Sequence, residues 1–317
     1  MVISLIWLII GFVLLIKGAD YLVDGSSAFA KKASVREIVI GLTIVAFGTS
    51  APELVVNVFA SFQNKTNVAF GNIIGSNIVN VLLILGIAAI IQPIHTERNT
   101  VWREIPFSLM ATLALIIICN DQLFNGASSY LSRGDGLILF LFFIIFLTYT
   151  FGLMRTEGKE SPEIKQLSVL KITIYIIAGL VALFIGGKLV VDNAVRIAQY
   201  FAVSEKLISL TIVSIGTSLP ELFTSATAAA KGKSEIAIGN IVGSNIFNIL
   251  FVLGISSIIR PLPFDTTLNL DFAFLTVASI LLFITMFTGK KRRLDRWEAI
   301  IFICIYVIYI VILIIRK

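Results

Sequence analysis

Apolar runs of about 17 to 25 residues, each long enough to cross a lipid hydrocarbon layer as a helix, recur along the whole chain with short polar joints between them. Ten are counted, at 2–24, 38–62, 68–92, 104–119, 136–154, 170–195, 207–230, 236–259, 271–288 and 297–315. The joints after 62 and after 230 are so short that each flanking pair must form a helical hairpin. Polar residues inside these runs are not scattered. Residues 42 to 93 and 210 to 261, overlaid at an offset of 168, match without a gap at 28 of 52 positions. The identities gather in Gly48-Thr-Ser-Ala-Pro-Glu53 against Gly216-Thr-Ser-Leu-Pro-Glu221, and in Gly71-Asn-Ile-Ile-Gly-Ser-Asn77 with Asn80 against Gly239-Asn-Ile-Val-Gly-Ser-Asn245 with Asn248.

The offset encloses five spans, an odd number, so the second copy must enter the membrane from the side opposite the first. The fold expected is an all-α integral membrane protein, ten transmembrane helices arranged as two inverted-topology five-helix repeats. Repeat one takes residues 1–154, a cytoplasmic linker 155–169, and repeat two 170–317. The first 30 residues carry a cleavage-like Ala28-Phe-Ala30, but the segment lacks an early basic residue. The offset also pairs Gly18 with Gly186 and Asp24 with Asp192, so this segment reads as the first helix of repeat one.

Composition agrees. Of 317 residues 57% are hydrophobic and 14% charged, and the mean hydropathy of +0.98 exceeds what one water-soluble core can hide. The net charge of +6 follows from topology rather than from a nucleic-acid surface. Sixteen of 25 basic residues, among them Lys31, Lys32, Arg36, Arg98, Arg155, Lys231, Lys233 and Lys290 to Arg293, fall in joints on one side, and seven fall on the other. Positively charged loops stay in the cytoplasm. Both termini are therefore expected outside the cell membrane, with the 155–170 joint inside. Cys119 and Cys304 show neither a disulfide nor a metal spacing.

The motifs carry the chemistry. Pro52 and Pro220 remove a backbone donor and clash with the preceding turn, and Gly48 and Gly216 loosen the chain beside them, so each helix is expected to break there. Carbonyls near 46–49 and 214–217 are then released and need a polar partner inside lipid. Two ionised carboxylates at mid-bilayer cost about 5 to 7 kcal/mol if each resembles a central charge at ~2.5–3.5. A bound cation removes that cost. Glu53, Glu221, the hydroxyls of Thr49, Ser50, Thr217 and Ser218, and the amide oxygens of Asn80 and Asn248 form an all-oxygen set suited to Ca²⁺, with Na⁺ able to occupy fragments of it. Asn72, Asn77, Asn240 and Asn245 read equally as ligands or as glue between helices. The Gly71/Gly75 and Gly239/Gly243 pairs read as close-packing positions.

At these residues the chain resembles the calcium/cation antiporter superfamily, and within it the archaeal and bacterial sodium/calcium exchangers. The resemblance implies exchange of calcium for sodium by alternating access, with Ca²⁺ and Na⁺ as transported substrates and no organic cofactor. It implies that Glu53 and Glu221 are carboxylates shared by both ions. Thr49, Ser50 and Ser76, with the Ala46 carbonyl, are similar to an inner sodium sub-site, and Thr217, Ser218 and Ser244, with the Ser214 carbonyl, to an outer one. Asn80 and Asn248 correspond to the central polar pair; the second position is acidic in the potassium-dependent branch and in some archaeal members. The first and sixth spans are expected to slide across the ligand bundle, and Gly11, Gly18, Gly179, Gly186 and Gly187 read equally as easing that sliding or as ordinary small packing residues. The partners expected are the two ions and the lipid bilayer, with no nucleotide or nucleic acid and no required oligomer. The alternative is a calcium/proton antiporter, whose relatives usually carry a glutamate after Gly-Asn. A membrane-embedded enzyme using His95 finds less support, because His95 follows Pro93 in a loop. Gly232-Lys233-Ser234 mimics the end of a phosphate-binding loop, but Thr227 stands where its leading glycine is required.

Overall fold

The computed structural model describes residues 2–122, 129–153, 167–201 and 214–315. Most of the 155–169 joint and the start of the 207–230 span lie outside the described residues. The helices are α1 (Val2–Lys32), α2 (Glu37–Thr49), α3 (Ala51–Phe62), α4 (Thr66–Ile91), α5 (Thr100–Cys119), α6 (Arg133–Leu153), α7 (Val169–Tyr200), α8 (Ser214–Thr217), α9 (Leu219–Ala230), α10 (Ser234–Ile259), α11 (Thr266–Thr285) and α12 (Arg296–Ile315). Among the described residues eight of these are long and apolar enough to span a bilayer, and α2 with α3 makes a ninth, bent by 47°. The α8–α9 pair repeats that break in the second half.

Burial separates centre from periphery. In their most apolar stretch α4 and α10 are 83% buried, whereas α1 and α7 are 22% buried and turn Ile3, Ile9, Val13, Ile174 and Ile177 outward. Such an apolar exterior is stable against lipid and not against water. The two hairpins close alike: Asn64 after α3 and Gly232 after α9 are 168 residues apart, and both take left-handed backbone, at φ 59° and 72°. These are the residue types that tolerate that region at a helix C-terminus. Two short antiparallel pairings tie the repeats together outside the helices, β1 (Ile94–His95) with β4 (Arg293–Leu294) and β2 (Tyr130–Leu131) with β3 (Leu262–Pro263). His95 lies exposed in the first of them.

Two features differ from the sequence expectation. Helices α1 and α7 run to 31 and 32 residues, well past the 2–24 and 170–195 read from hydropathy, because their last turns carry polar residues beyond the apolar window. The Lys231 and Lys233 amines of the α9–α10 turn pair with Asp24 of α1, at 2.8 Å, and with Glu37 of α2, at 2.7 Å. The glycines of α1 and α7, moreover, face each other rather than the ligand helices. A Cβ built on Gly18 would stand 2.9 Å from the Gly179 carbonyl oxygen, and one on Gly11 3.0 Å from that of Gly186. Only Gly187 looks across to Pro220, at 3.8 Å. Backbone at that distance cannot retreat as a side chain can. Gly18→Val is expected to lower stability by about 1–3 kcal/mol, read as a lower Tm in detergent; an unchanged melt would show that the helices separate freely.

Candidate cation site

Each break is built the same way. Ser50 (φ −85°, ψ 8°) and Ser218 (φ −88°, ψ 7°) leave the helical region, and Pro52 and Pro220 open the next helix at its first positions. Proline suits that place, since the donor it lacks would be unpaired there in any case. Glu53 and Glu221 follow in the first turns of α3 and α9, where the positive end of the peptide dipoles favours a carboxylate. Both are fully buried. The release of carbonyls is narrower than the sequence suggested, because the Ala46 carbonyl keeps its bond from the Ser50 N–H at 3.0 Å and also accepts the Thr49 hydroxyl at 3.4 Å.

The halves interlock crosswise. Ser50 of repeat one donates its hydroxyl to Glu221 Oε1 at 2.8 Å, and Ser218 of repeat two donates to Glu53 Oε1 at 3.4 Å. Within each half the serine of the second motif completes the contact, Ser76 to Glu53 at 3.3 Å and Ser244 to Glu221 at 3.4 Å. Asn72 and Asn240 donate to the main-chain carbonyls of Glu53 and Glu221, at 3.4 and 3.5 Å, and Asn72 also to Asn57 Oδ1 at 2.7 Å. Thr49 donates to Asn240 Oδ1 at 3.0 Å. These two asparagines therefore act as supports of the glutamate turns. Thr217 sits half-buried beside them, and Ser214 contributes its backbone at the start of α8.

Asn80 and Asn248 lie where α4 and α10 pass through π-helical turns, Val79–Ile84 and Phe247–Leu253. A π turn inserts one residue into the helical ladder and re-aims the side chains around it, and such turns cluster at functional positions. No periodicity argument anticipated them. Among the buried oxygens without a protein partner are five at this site: Glu53 Oε2, Glu221 Oε2, Asn80 Oδ1, Asn248 Oδ1 and the Thr217 hydroxyl. Each unpaired buried acceptor costs about 1–3 kcal/mol, more when charged. All are hard oxygen donors, the carboxylates and amides come in symmetry-related pairs, and a desolvated metal cation is the partner their chemistry fits. Among the described residues no group of three or more His, Cys, Asp or Glu side chains forms a metal cluster. The set draws instead on two carboxylates supplemented by neutral oxygens.

The expected packing glycines divide. Cβ atoms on Gly239 and Gly243 would meet α2 backbone, at 3.0 Å from the Ile38 carbonyl oxygen and 2.8 Å from Leu42 Cα, as close packing requires. Gly71, the mate of Gly239, has nothing within 4 Å and is exposed.

Comparison with known proteins follows the same division into halves. The family model described as sodium/calcium exchanger protein matches residues 3–152 and 171–315. CaxA of Alkalimonas amylolytica is 37% identical over 323 residues, covering 98% of both chains. The sodium/calcium exchanger MaX1 of Methanosarcina acetivorans is 31% identical over 347 residues, covering 96% of this chain and 97% of its own. The solved structure of the sodium-calcium exchanger NCX_Mj superposes with a TM-score of 0.85 at 34% identity, covering 98% of this chain and 99% of that one. The ten-helix inverted-repeat architecture, the paired motifs and these matches place the protein among multi-pass membrane transporters rather than enzymes. It belongs to the sodium/calcium exchanger family and is a calcium/cation exchanger of that type.

Proposed function

We propose that this protein is a secondary active antiporter that exchanges calcium for sodium across the cell membrane by alternating access. The partnerless oxygens of Glu53, Glu221, Asn80, Asn248 and Thr217 carry this reading. Two carboxylates balance one Ca²⁺, and flexible oxygen sets of this kind suit it. The names of MaX1 and NCX_Mj, the latter studied in crystals soaked with Na⁺ and Ca²⁺ or Sr²⁺, support sodium as the counter-ion. Glu53 and Glu221 serve both ions. Thr49, Ser50 and Ser76, with the Ala46 carbonyl, hold one sodium, and Thr217, Ser218 and Ser244, with the Ser214 carbonyl, hold another. Asn80 and Asn248 form the centre. Residues 1–154 and 170–317 are the two repeats and 155–169 the cytoplasmic linker, with both termini outside.

The deciding measurement is calcium-45 flux into proteoliposomes under an imposed sodium gradient at controlled voltage. Uptake driven by sodium and persisting when the proton gradient is collapsed is expected. Uptake that follows the proton gradient alone would replace sodium by protons. Ser50→Ala and Ser218→Ala are expected to raise the half-activating sodium concentration about tenfold, the equivalent of about 1.4 kcal/mol, and to alter calcium affinity less. Equal shifts for both ions would reject the sub-site division.

A further inference from the structure

Asn77 and Asn245 stand one turn before Asn80 and Asn248, at the crossing of α4 and α10, and are 0% and 2% exposed. Each donates its side-chain amide to the other's main-chain carbonyl, Asn77 Nδ2 to Asn245 O at 3.3 Å and Asn245 Nδ2 to Asn77 O at 3.5 Å. A carbonyl only accepts, so the nitrogen of each amide is committed to the crossing and its oxygen must turn away. Those two oxygens accept the neighbouring amides: Asn80 Nδ2 donates to Asn245 Oδ1 at 2.9 Å, and Asn248 Nδ2 to Asn77 Oδ1 at 3.0 Å. With their nitrogens held in this way, Asn80 and Asn248 present Oδ1, the atoms left without a partner.

We propose that Asn77 and Asn245 are positioning residues of the cation site, each holding the ligand amide of the opposite repeat with its oxygen toward the ion. The proposal rests on the reading of Asn80 and Asn248 as ligands. An asparagine amide has one acceptor end and one donor end of nearly the same shape. Left free, it would turn its N–H groups toward the cation in part of the population, replacing a ligand with two positively polarised hydrogens. The crossing removes that freedom, and it does so across the repeats. Asn80 is set by repeat two and Asn248 by repeat one, so neither half orients its own amide.

A carboxylate has no wrong way round, which supplies the test. Calcium binding to the purified full-length protein is measured by titration for Asn77→Leu, alone and combined with Asn248→Asp, each compared with its own background. Asn77→Leu is expected to weaken binding about 10- to 100-fold in the wild-type background, the range found when supports of metal ligands are removed. In the Asn248→Asp background the same change is expected to cost no more than about threefold, the non-additivity of two side chains joined in one hydrogen-bond network. Equal loss in both backgrounds would mean that Asn77 only packs the crossing, and absence of loss in both would mean that it orients nothing; either overturns the proposal. Asn248→Leu separates the premise from the inference. If Asn248→Leu binds calcium as the wild type does, the ligand assignment falls and the proposal with it; if it weakens binding while Asn77→Leu does not, only the positioning role falls. Asn245→Leu with Asn80→Asp is the mirror test, and it decides the matter should Asn77→Leu fail to fold.

Discussion

Glu53→Gln and Glu221→Gln are each expected to abolish calcium exchange while leaving a folded membrane protein. Glutamine keeps the size of the side chain and an oxygen to accept the Ser76 and Ser218 hydroxyls, or those of Ser50 and Ser244, so the packing of the breaks survives. What it removes is one of two negative charges facing a divalent ion. The site would then hold an uncompensated positive charge at mid-membrane, at about 2.5–3.5 kcal/mol for a central charge, or roughly 100-fold in affinity. The wild type should gain thermal stability with added Ca²⁺, in proportion to RT ln(1 + [Ca²⁺]/Kd). In either variant that gain should shrink by up to RT ln 100, about 2.7 kcal/mol. In calcium-free buffer the variants should melt no lower than the wild type, because two like charges no longer share a dry site. Wild-type flux in either variant would remove the carboxylates from the mechanism.

The second large effect is expected from Gly243→Ala, a change of one methyl group. A Cβ there would stand 2.8 Å from Leu42 Cα, from the Leu42 carbonyl oxygen and from Ala46 Cβ, so α10 and α2 must move apart as backbones. Helix α10 carries Ser244, Asn245 and Asn248, and α2 leads into Thr49 and Ser50. Separation of the two therefore stretches the crosswise bonds of the site itself. The expected result is a stability loss of about 1–3 kcal/mol and a drop in sodium-driven calcium flux of at least about tenfold, the equivalent of 1.4 kcal/mol in ion binding. Gly71→Ala is the control, because nothing lies within 4 Å of its added methyl. It should leave both melt and flux near wild type; equal damage from both substitutions would refute the packing argument.

The contrast between Gly71 and Gly239 shows where the duplication stops being informative. The repeats match at both positions, and sequence alone treats Gly71 and Gly239 as equivalent. Among the described residues α2 covers the second-repeat helix at Gly239, while nothing lies within 4 Å of a Cβ on Gly71. The glycines of α1 and α7 make the same point. The family resemblance leaves them open as residues that ease sliding or as ordinary packing residues, and the structure shows Gly11 and Gly18 meeting Gly186 and Gly179, which couples the two helices along their length.

Much of the protein was nonetheless legible in the residues. Ten apolar stretches, a gapless duplication across an odd number of spans, and a proline beside a buried glutamate in each copy are local or periodic signals. A helix cannot keep its ladder through Pro52, and a charge cannot rest in lipid unpaired, wherever the rest of the chain lies. That is why the inverted architecture, the helix breaks and the central carboxylates could be read directly. The tertiary structure alone decided which oxygen faces which partner. The bonds from Ser50 to Glu221, from Asn80 to Asn245 and from Asn248 to Asn77 join residues 165 to 171 positions apart, and no local pattern specifies them. The π turns that aim Asn80 and Asn248, and the direction in which each amide points, follow from the crossing of two antiparallel helices whose carbonyls can only accept. A sequence names the donors and acceptors; the distances between them, set by packing, leave two carboxylate oxygens, two amide oxygens and the Thr217 hydroxyl for the ion.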